Sequence, residues 1–516
     1  MKAITSILRI RPLLPVKAFI PFPVLPAVMV GIFFFFPCVS AQDYISADPY
    51  YLLLNEKKQF DRGNRYYSTA MRPFFKNSEN NAFISFKSEL YWNNEAPNQE
   101  NMDVRYFGKG MGTFQSVHFA WMGKYLSLSF EPFILKSENK GVKRYYRPNP
   151  YNVLNDVVQI PGKDFIRQGL RNSHIYLHYK GIGVGISNEN MWWGPGIQGS
   201  LSMTNNTVGF PHYSIGTIKE LRWRNWGFYG KYTLATIKEN SQVDDTYFTS
   251  LAGSITYYSY PIITIGLTRN YMTGGVNVGV PWTIKDASKI VFEDFFIENL
   301  RGEKYTWPSG HDPFDQTLTG FLSMMLPKSK MKLYLEVGYN DNRNNLWDFI
   351  IHPDHSIATI LGFQNYGLFN NEDLVFGFEY ASLVNSRMQV FRGFPPWYAR
   401  THYDDWSYEG RRWGAHSGSD SDDLLIFFGW MNEKWSFVPA FNYERHGITT
   451  YRPPEVKTEL RLNAHYQLQN HLNIGFYFEQ QHEAHLGFPN DHFWLEVTGK
   501  RKTNTVIIRI EKILDL

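Results

Sequence analysis

The 516-residue chain has one cysteine, Cys38, and that residue sits in an N-terminal stretch with the marks of a secretory leader. Structural disulfides, thiol catalysis and cysteine-based metal sites are thereby excluded from the mature protein. Charge is scarce: Asp, Glu, Lys and Arg make up 19% of the chain, below the roughly 25% usual for soluble domains. Outside the leader no apolar run is long enough for a membrane helix, and the mean hydropathy of −0.36 excludes a helical membrane protein. A basic excess is missing too. The leader holds Lys2, Arg9, Arg11 and Lys17 and no acid, so of 52 basic and 48 acidic residues the mature part keeps 48 of each. Without a bulk positive field, nucleic acid is not a partner.

Catalytic and cofactor signatures are absent as well. There is no Gly-x-Ser-x-Gly elbow and no phosphate-binding glycine loop. His482-Glu483-Ala484-His485 lacks zinc-protease spacing and follows a strand that turns the two imidazoles to opposite faces. His311-Asp312 and Asp315 could bind a metal, but no third ligand is in view and a surface turn accounts for them, and Asp420 to Asp423 lacks the glycine and terminal glutamate of a calcium loop. The expectation is a protein that is not an enzyme and carries no metal and no cofactor.

What the chain has in abundance is aromatic residues, 17% of the total, and period-two alternation. Residues 1–41 read as a signal peptide, with the basic start, an apolar core from Ala27 to Phe36, and Val39-Ser40-Ala41 as cleavage site. Pro21, Pro23 and Pro26 break any span there, and Phe35-Phe36-Pro37 departs from the box that precedes a lipidated cysteine. Residues 42–80 form a short segment of their own. Asp48-Pro49-Tyr50 can open a helix with proline in the first turn, and Leu53, Leu54, Phe60 and Tyr67 give an approximate helical stripe.

From residue 81 to 516 one face of each strand-like segment is apolar and the other polar. Ile84, Phe86 and Leu90 oppose Ser85, Lys87 and Glu89; Leu126, Leu128 and Phe130 oppose Ser127, Ser129 and Glu131; Leu333, Leu335 and Val337 oppose Lys332, Tyr334 and Glu336. The same holds for Leu460 and Leu462 against Glu459 and Arg461, and for Leu472, Ile474 and Phe476 against Asn473 and Gly475. Alternation repeated this often predicts an all-β fold: a closed antiparallel transmembrane β-barrel of about 18 strands, lipid outside and a wet or plugged interior. Tight connections, such as those at Gly123, Gly181, Asn225, Pro327 to Lys330, Asn432 and Gly499 to Lys502, alternate with long ones at Lys136 to Arg171, Trp193 to Gly216, Tyr271 to Gln316 and Arg387 to Asp423. That asymmetry belongs to outer-membrane barrels, whose long loops face the exterior. The final strand ends on Leu516, where such barrels commonly finish on an aromatic.

Two stretches carry the candidate binding residues. Met191 to Gly216 holds Trp192, Trp193, a Gly194-Pro195-Gly196 turn, Asn205, Asn206 and Pro211-His212, and it follows a strand whose glycines, Gly181, Gly183 and Gly185, share one face. Stacking rings and fixed amides suit a pyranose, which offers an apolar C–H face and a ring of hydroxyls. The tryptophans also fit an interfacial girdle and the asparagines a turn. Glu409 to Asp422 brings Arg411, Arg412, His416, Asp420 and Asp422, which fit either polymer binding or a lumenal ion-pair ladder. These loops are bulky enough to fold into the mouth or lumen, so low conductance is expected.

Trp-Gly-Pro-Gly followed by a Leu/Ser run, Asn-Asn and a closing proline, with the Gly-Arg, Gly-His and Asp-Ser-Asp features downstream, resembles the Wzi family of capsule assembly proteins. The resemblance implies an outer-membrane, lectin-like barrel whose periplasmic end is closed by helix, here the reduced 42–80 segment. It implies a surface polysaccharide, capsule or exopolysaccharide, as ligand, with outer-membrane lipid around the wall and periplasmic or outer-membrane export components as further partners. Trp192, Trp193, Asn205, Asn206, His212, Arg411, Arg412, His416, Asp420 and Asp422 would be its polysaccharide-binding residues. The competing expectation is a porin-like diffusion channel for sugars or ions.

Overall fold

The computed structural model describes residues 44–515 except 62–65, 77–80, 153–155, 157–161, 238–244, 275–282, 293–313, 341–349, 387–395, 399–405, 469–471 and 489–498. The leader, Cys38, His311, Asp312 and Leu516 lie outside the described residues.

The wall begins with β1 (Asn81–Asn93), β2 (Gly110–Met122), β3 (Leu126–Ser137), β4 (Phe165–Tyr179), β5 (Ile182–Ser187) and β6 (His212–Thr217). It continues through β7 (Trp226–Ile237), β8 (Thr246–Tyr258), β9 (Ile262–Gly274), β10 (Phe314–Leu326), β11 (Met331–Asn340) and β12 (Ile357–Asn365). The last third is β13 (Leu374–Ser382), β14 (Ser421–Met431), β15 (Trp435–His446), β16 (Glu455–Gln467), β17 (Leu472–Ala484) and β18 (Arg501–Asp515). All neighbours are antiparallel, and β18 pairs with β1 from Thr505↔Asn93 to Asp515↔Phe83, which closes the sheet. A further segment, Leu221–Trp223, pairs with β7 below β6 and shares its wall position, so nineteen segments make eighteen strands. Closure leaves no edge with unpaired backbone.

The alternation comes out as expected. Ser85, Lys87 and Glu89 of β1 are buried, as are Ser127, Ser129 and Glu131 of β3, while Leu90 and Phe130 are exposed. Leu322, Leu335 and Leu361 stand side by side on β10, β11 and β12 and are 47%, 41% and 48% exposed. Nothing among the described residues covers them. An outward apolar band and an inward polar one is the arrangement that hydrocarbon imposes on a sheet, since only a closed ladder satisfies every backbone group there. No described helix is long and apolar enough to cross a membrane.

Short turns gather at one rim together with the end of β18, and long connections at the other. Gly499 to Lys502, expected as a tight turn, instead finishes the long β17–β18 connection and begins β18. The glycines of β5 also have a specific reason. Ile182, Val184 and Ile186 point outward, and a Cβ on Gly183 would strike the Leu177 carbonyl and the His178 backbone, while one on Gly185 would strike the Tyr176 ring. The bare face therefore accommodates the neighbouring strand β4, not the tryptophans that follow.

At the short-turn rim, Asp48 caps Pro49–Tyr51 by accepting from the Tyr50 amide at 3.0 Å, and the chain runs on into α1 (Leu52–Asp61). This helix lies within the mouth. Tyr51 donates to Glu511 of β18 at 2.5 Å, Lys57 to the Glu372 carbonyl at 2.7 Å, and Glu56 receives Tyr366 at 2.7 Å and Lys332 of β11 at 2.5 Å. Its ties thus reach opposite sides of the wall.

Placing arginine at Leu335, midway along β11, should cost about 2–4 kcal/mol in a bilayer, read by urea unfolding in lipid vesicles. Gly183→Val should prevent assembly altogether, leaving no heat-modifiable folded band in gel electrophoresis, while the outward Ile182→Val should assemble normally.

Candidate functional site: the lumenal plug

The lumen is filled. Residues 94–109, 188–211 and 406–420 leave the long-loop rim and fold inward, where they meet residues 66–76 from the N-terminal segment. Trp193, Leu201, Met203, Phe210, Trp397, Tyr398, Trp406 and Trp413 pack with the inward Phe248, Tyr334 and Ile360 as one cluster. Trp413 makes edge contacts with Phe248 at 4.9 Å and Trp406 at 5.5 Å.

The Gly-Pro-Gly segment is gripped by two wall glutamates. Glu379 of β13 accepts from the amides of Ile197 at 2.7 Å, Gln198 at 3.2 Å and Gly199 at 2.7 Å, and from the Tyr334 hydroxyl at 2.5 Å. Glu336 of β11 accepts from the Leu201 amide at 2.9 Å and the Ser200 hydroxyl at 3.2 Å. Neither forms a salt bridge among the described residues, so oriented amides and two hydroxyls hold these buried carboxyl groups. Glycine is required at this approach: a Cβ on Gly194 would overlap Ser200 and Glu336, and one on Gly196 the Gly199 carbonyl.

The 94–109 segment is held by ion pairs instead. Arg105 reaches Glu89 of β1 at 2.9 Å, Asp48 at 3.1 Å and Asp103 at 3.2 Å; Arg171 of β4 bridges Asp103 at 2.8 Å and Glu131 at 3.0 Å. Glu100 binds both Lys457 and Arg461 of β16, and Lys457 also pairs with Glu444 of β15. His416 joins this cluster through Asp423 at 3.2 Å, Glu100 at 3.6 Å and Glu444 at 3.8 Å. Burial by itself lowers the His416 pKa, but Glu100, Asp423 and Glu444 outweigh it and raise it to about 9. Glu100, burial notwithstanding, is held down at about 2 by His416, Lys457 and Arg461. The donor atoms of Glu100, His416 and Glu444 lie within 4.8 Å of one another, near enough to hold a metal ion. Lys457 and Arg461 already neutralise those carboxylates, however, which makes the group an ion-pair cluster. Below it, a cavity of about 180 Å³ opens between α1 and the plug, apolar at Leu52, Leu54 and Phe427 and polar at Arg105, Arg461 and Arg509.

Every polysaccharide-binding candidate named from the sequence is buried. Trp192 and Trp193 pair with Arg72 and Met71 inside the lumen, far from any girdle, and the Arg72 guanidinium sits 4.4 Å over the Trp192 ring. Asn205 bonds the Asn101 carbonyl at 2.8 Å and receives Asn190 at 2.7 Å; Asn206 donates to the Arg412 carbonyl at 3.1 Å, joining the two motifs. His212, at the start of β6, bonds the Phe210 carbonyl at 2.9 Å. Arg411 is enclosed, Arg412 donates to the Pro150 carbonyl at 2.7 Å, and Asp422 pairs with Arg445 of β15. Asp420 accepts from Thr449 at 2.8 Å, Thr450 at 2.9 Å, Tyr151 at 3.1 Å and the Asn385 amide at 3.3 Å. It therefore knots three connections together rather than standing in a ladder with Arg411 and Arg412. Sequence reading missed Glu336, Glu379, Glu100 and the Lys457–Arg461 pair. Their only signal was a charged residue on an inward parity, or, for Glu100, in a loop rich in amides.

Residues 89–487 match the family described as capsule assembly protein Wzi. Among solved structures the chain is similar to Wzi of Escherichia coli, described as a carbohydrate-binding outer-membrane β-barrel involved in group 1 capsule assembly, at 11% identity and a TM-score of 0.59 over 91% of this chain and 99% of that one. It is also similar to Pseudomonas aeruginosa OccK9 (OpdG), at 9% identity and a TM-score of 0.42 over 84% and 98% of the two chains. Pseudomonas aeruginosa OpdQ gives 8% identity and a TM-score of 0.41 over 84% and 99%. No curated protein sequence matches.

Glu379→Ala should destabilise the plug by roughly 3 kcal/mol, since three loop amides and a tyrosine hydroxyl lose their acceptor; the readout is thermal unfolding together with bursts of ion conductance absent from the parent. His416 has a raised folded-state pKa, so its contribution is fully present below about 6.5, the reference value for histidine, and disappears as pH climbs through about 9. Wild-type melting temperature should fall across that interval, and His416→Gln should flatten the dependence.

Proposed function

The chain belongs to the Wzi family of capsule assembly proteins, and from that premise we propose that it is a non-enzymatic outer-membrane barrel that binds surface polysaccharide and assists assembly or attachment of capsule or exopolysaccharide. The long connections face the cell exterior, and the short turns and α1 face the periplasm, where export components would dock. The observation that carries this reading beyond family membership is the filled lumen. Diffusion needs a continuous water path, but four inward-folded segments, an ion-pair cluster and α1 occupy the axis of this barrel. A sealed barrel is instead a rigid platform in the membrane. Polymer retention on it is multivalent, with weak contacts repeated along a chain summing to useful affinity. In this reading the residues of the two motifs, from Trp192 to His212 and from Arg411 to Asp422, serve polysaccharide binding as the framework that fixes the exterior connections, since all are enclosed.

The deciding experiment measures glycan binding and planar-bilayer conductance on one refolded sample. Binding of the surface polysaccharide isolated from the source cells, with no steady open-channel current, is the expected result. Steady conductance without polymer binding would establish the channel instead.

A further inference from the structure

With the two motifs enclosed, the polymer must meet another surface, and the β3–β4 connection supplies one. Residues 140–147 read Lys-Gly-Val-Lys-Arg-Tyr-Tyr-Arg, with four cations, two tyrosines and no acid. Lys143 and Arg144 are exposed, as is Tyr146 at 84%, while Lys140, its side chain 64% exposed, pairs with Glu138 at 3.0 Å. The Lys143 ammonium lies 4.8 Å above the Tyr145 ring. An exposed tyrosine this large has no packing role, and exposed cations beside it attract anionic ligands.

The segment is also firmly seated. Arg147 bridges Asp156 at 2.6 Å and Glu455 at 2.9 Å; Tyr145 donates to the Lys500 carbonyl at 3.4 Å; Arg412 holds the Pro150 carbonyl and Asp420 holds Tyr151. Tyr151 packs against Phe488 at 4.8 Å and Tyr451 at 5.5 Å. Around the wall, β1, β2, β17 and β18 separate β3 from β16, to which Glu455 belongs. A connection that starts at β3 and is tied to β16 and to the residue before β18 is a chord across the mouth. It lies over the plug, not along the lipid-facing rim, and Lys500 and the exposed Arg452 lie on the connections it reaches.

We propose that this strap, through Lys143, Arg144, Tyr145 and Tyr146, is the contact site for an acidic polysaccharide: the tyrosines stack on C–H faces and the cations pair with uronate carboxylates along the chain. The proposal rests on the polysaccharide-binding reading and adds to it the site and the charge class of the ligand. Ordering by Arg147 and Arg412 preorganises the contact, so little entropy is lost on binding.

The test uses the full-length protein in detergent, with alginate as polyuronate probe, dextran as neutral probe and lipid A vesicles as anionic-lipid probe. Wild-type protein should bind alginate, about tenfold more weakly when screening is raised from roughly 50 to 500 mM salt, and should bind dextran poorly. The triple variant Lys143→Ala, Arg144→Ala, Tyr146→Ala should lose at least about tenfold in alginate affinity, with its heat-modifiable folded band intact because all three side chains are exposed. Tyr146→Phe should retain most of the affinity. Equal alginate binding by wild type and triple variant overturns the strap while leaving the broader function in place. Dextran binding as tight as alginate binding, indifferent to salt, overturns the acidic class. Strap-dependent binding to lipid A vesicles with none to alginate makes the surface a lipid contact and overturns the polymer. Failure of wild type to bind either glycan removes the polysaccharide reading itself.

Discussion

The inward parity of the wall carries Glu89, Glu131, Glu336, Glu379, Glu444, Lys457 and Arg461 into a space closed to bulk water, and every charge there must find a counter-ion or an array of donors. That requirement follows from the outside of the barrel. Strands that offer Leu322, Leu335 and Leu361 to hydrocarbon have only their other face for polar residues, and an unfilled lumen of this composition would stay wet and conducting. Three long connections and an N-terminal segment turn inward and satisfy the charges.

They do so by two kinds of chemistry. The 94–109 segment brings its own charges, so Arg105 and Glu100 lock it to β1 and β16 by ion pairs. The Gly-Pro-Gly segment brings none and presents bare amides to Glu379 and Glu336. The second solution is geometrically stricter, because successive amides must converge on one carboxyl group, and the close approach of Gly194 and Gly196 leaves no room for a Cβ. Ion pairs tolerate more movement, and His416 makes one part of them depend on pH.

A barrel sealed this way separates structure from recognition. The conspicuous aromatic and amide residues stabilise the interior, and under the proposed function contact with polymer falls to what the interior holds up: the strap across the mouth, anchored by Arg147, Tyr151 and Arg412. Rigidity below and exposed cations and tyrosines above suit repeated weak contacts with a long chain better than a deep pocket would. The family relationship and the geometry therefore bear on different parts of the molecule, the first on the motifs and the second on the surface.

The sequence by itself determined the class of fold. Period-two alternation has one geometric meaning, so the outward and inward residues of β1, β3, β11, β16 and β17, the strand number and the opening of α1 at Asp48-Pro49 could all be read from residue order. It did not determine partners. Trp192, Trp193 and Asn205 have the same composition whether they face a sugar, a lipid headgroup or the rest of the protein, and Glu379 is just another inward acid until Ile197, Gln198 and Gly199 arrive 180 residues away in sequence. Which connections fold into the lumen depends on contacts between segments far apart in the chain, whose energies no local pattern encodes. Only the tertiary structure could therefore turn the suspected binding motifs into a plug and leave Lys143, Arg144 and Tyr146 at the surface.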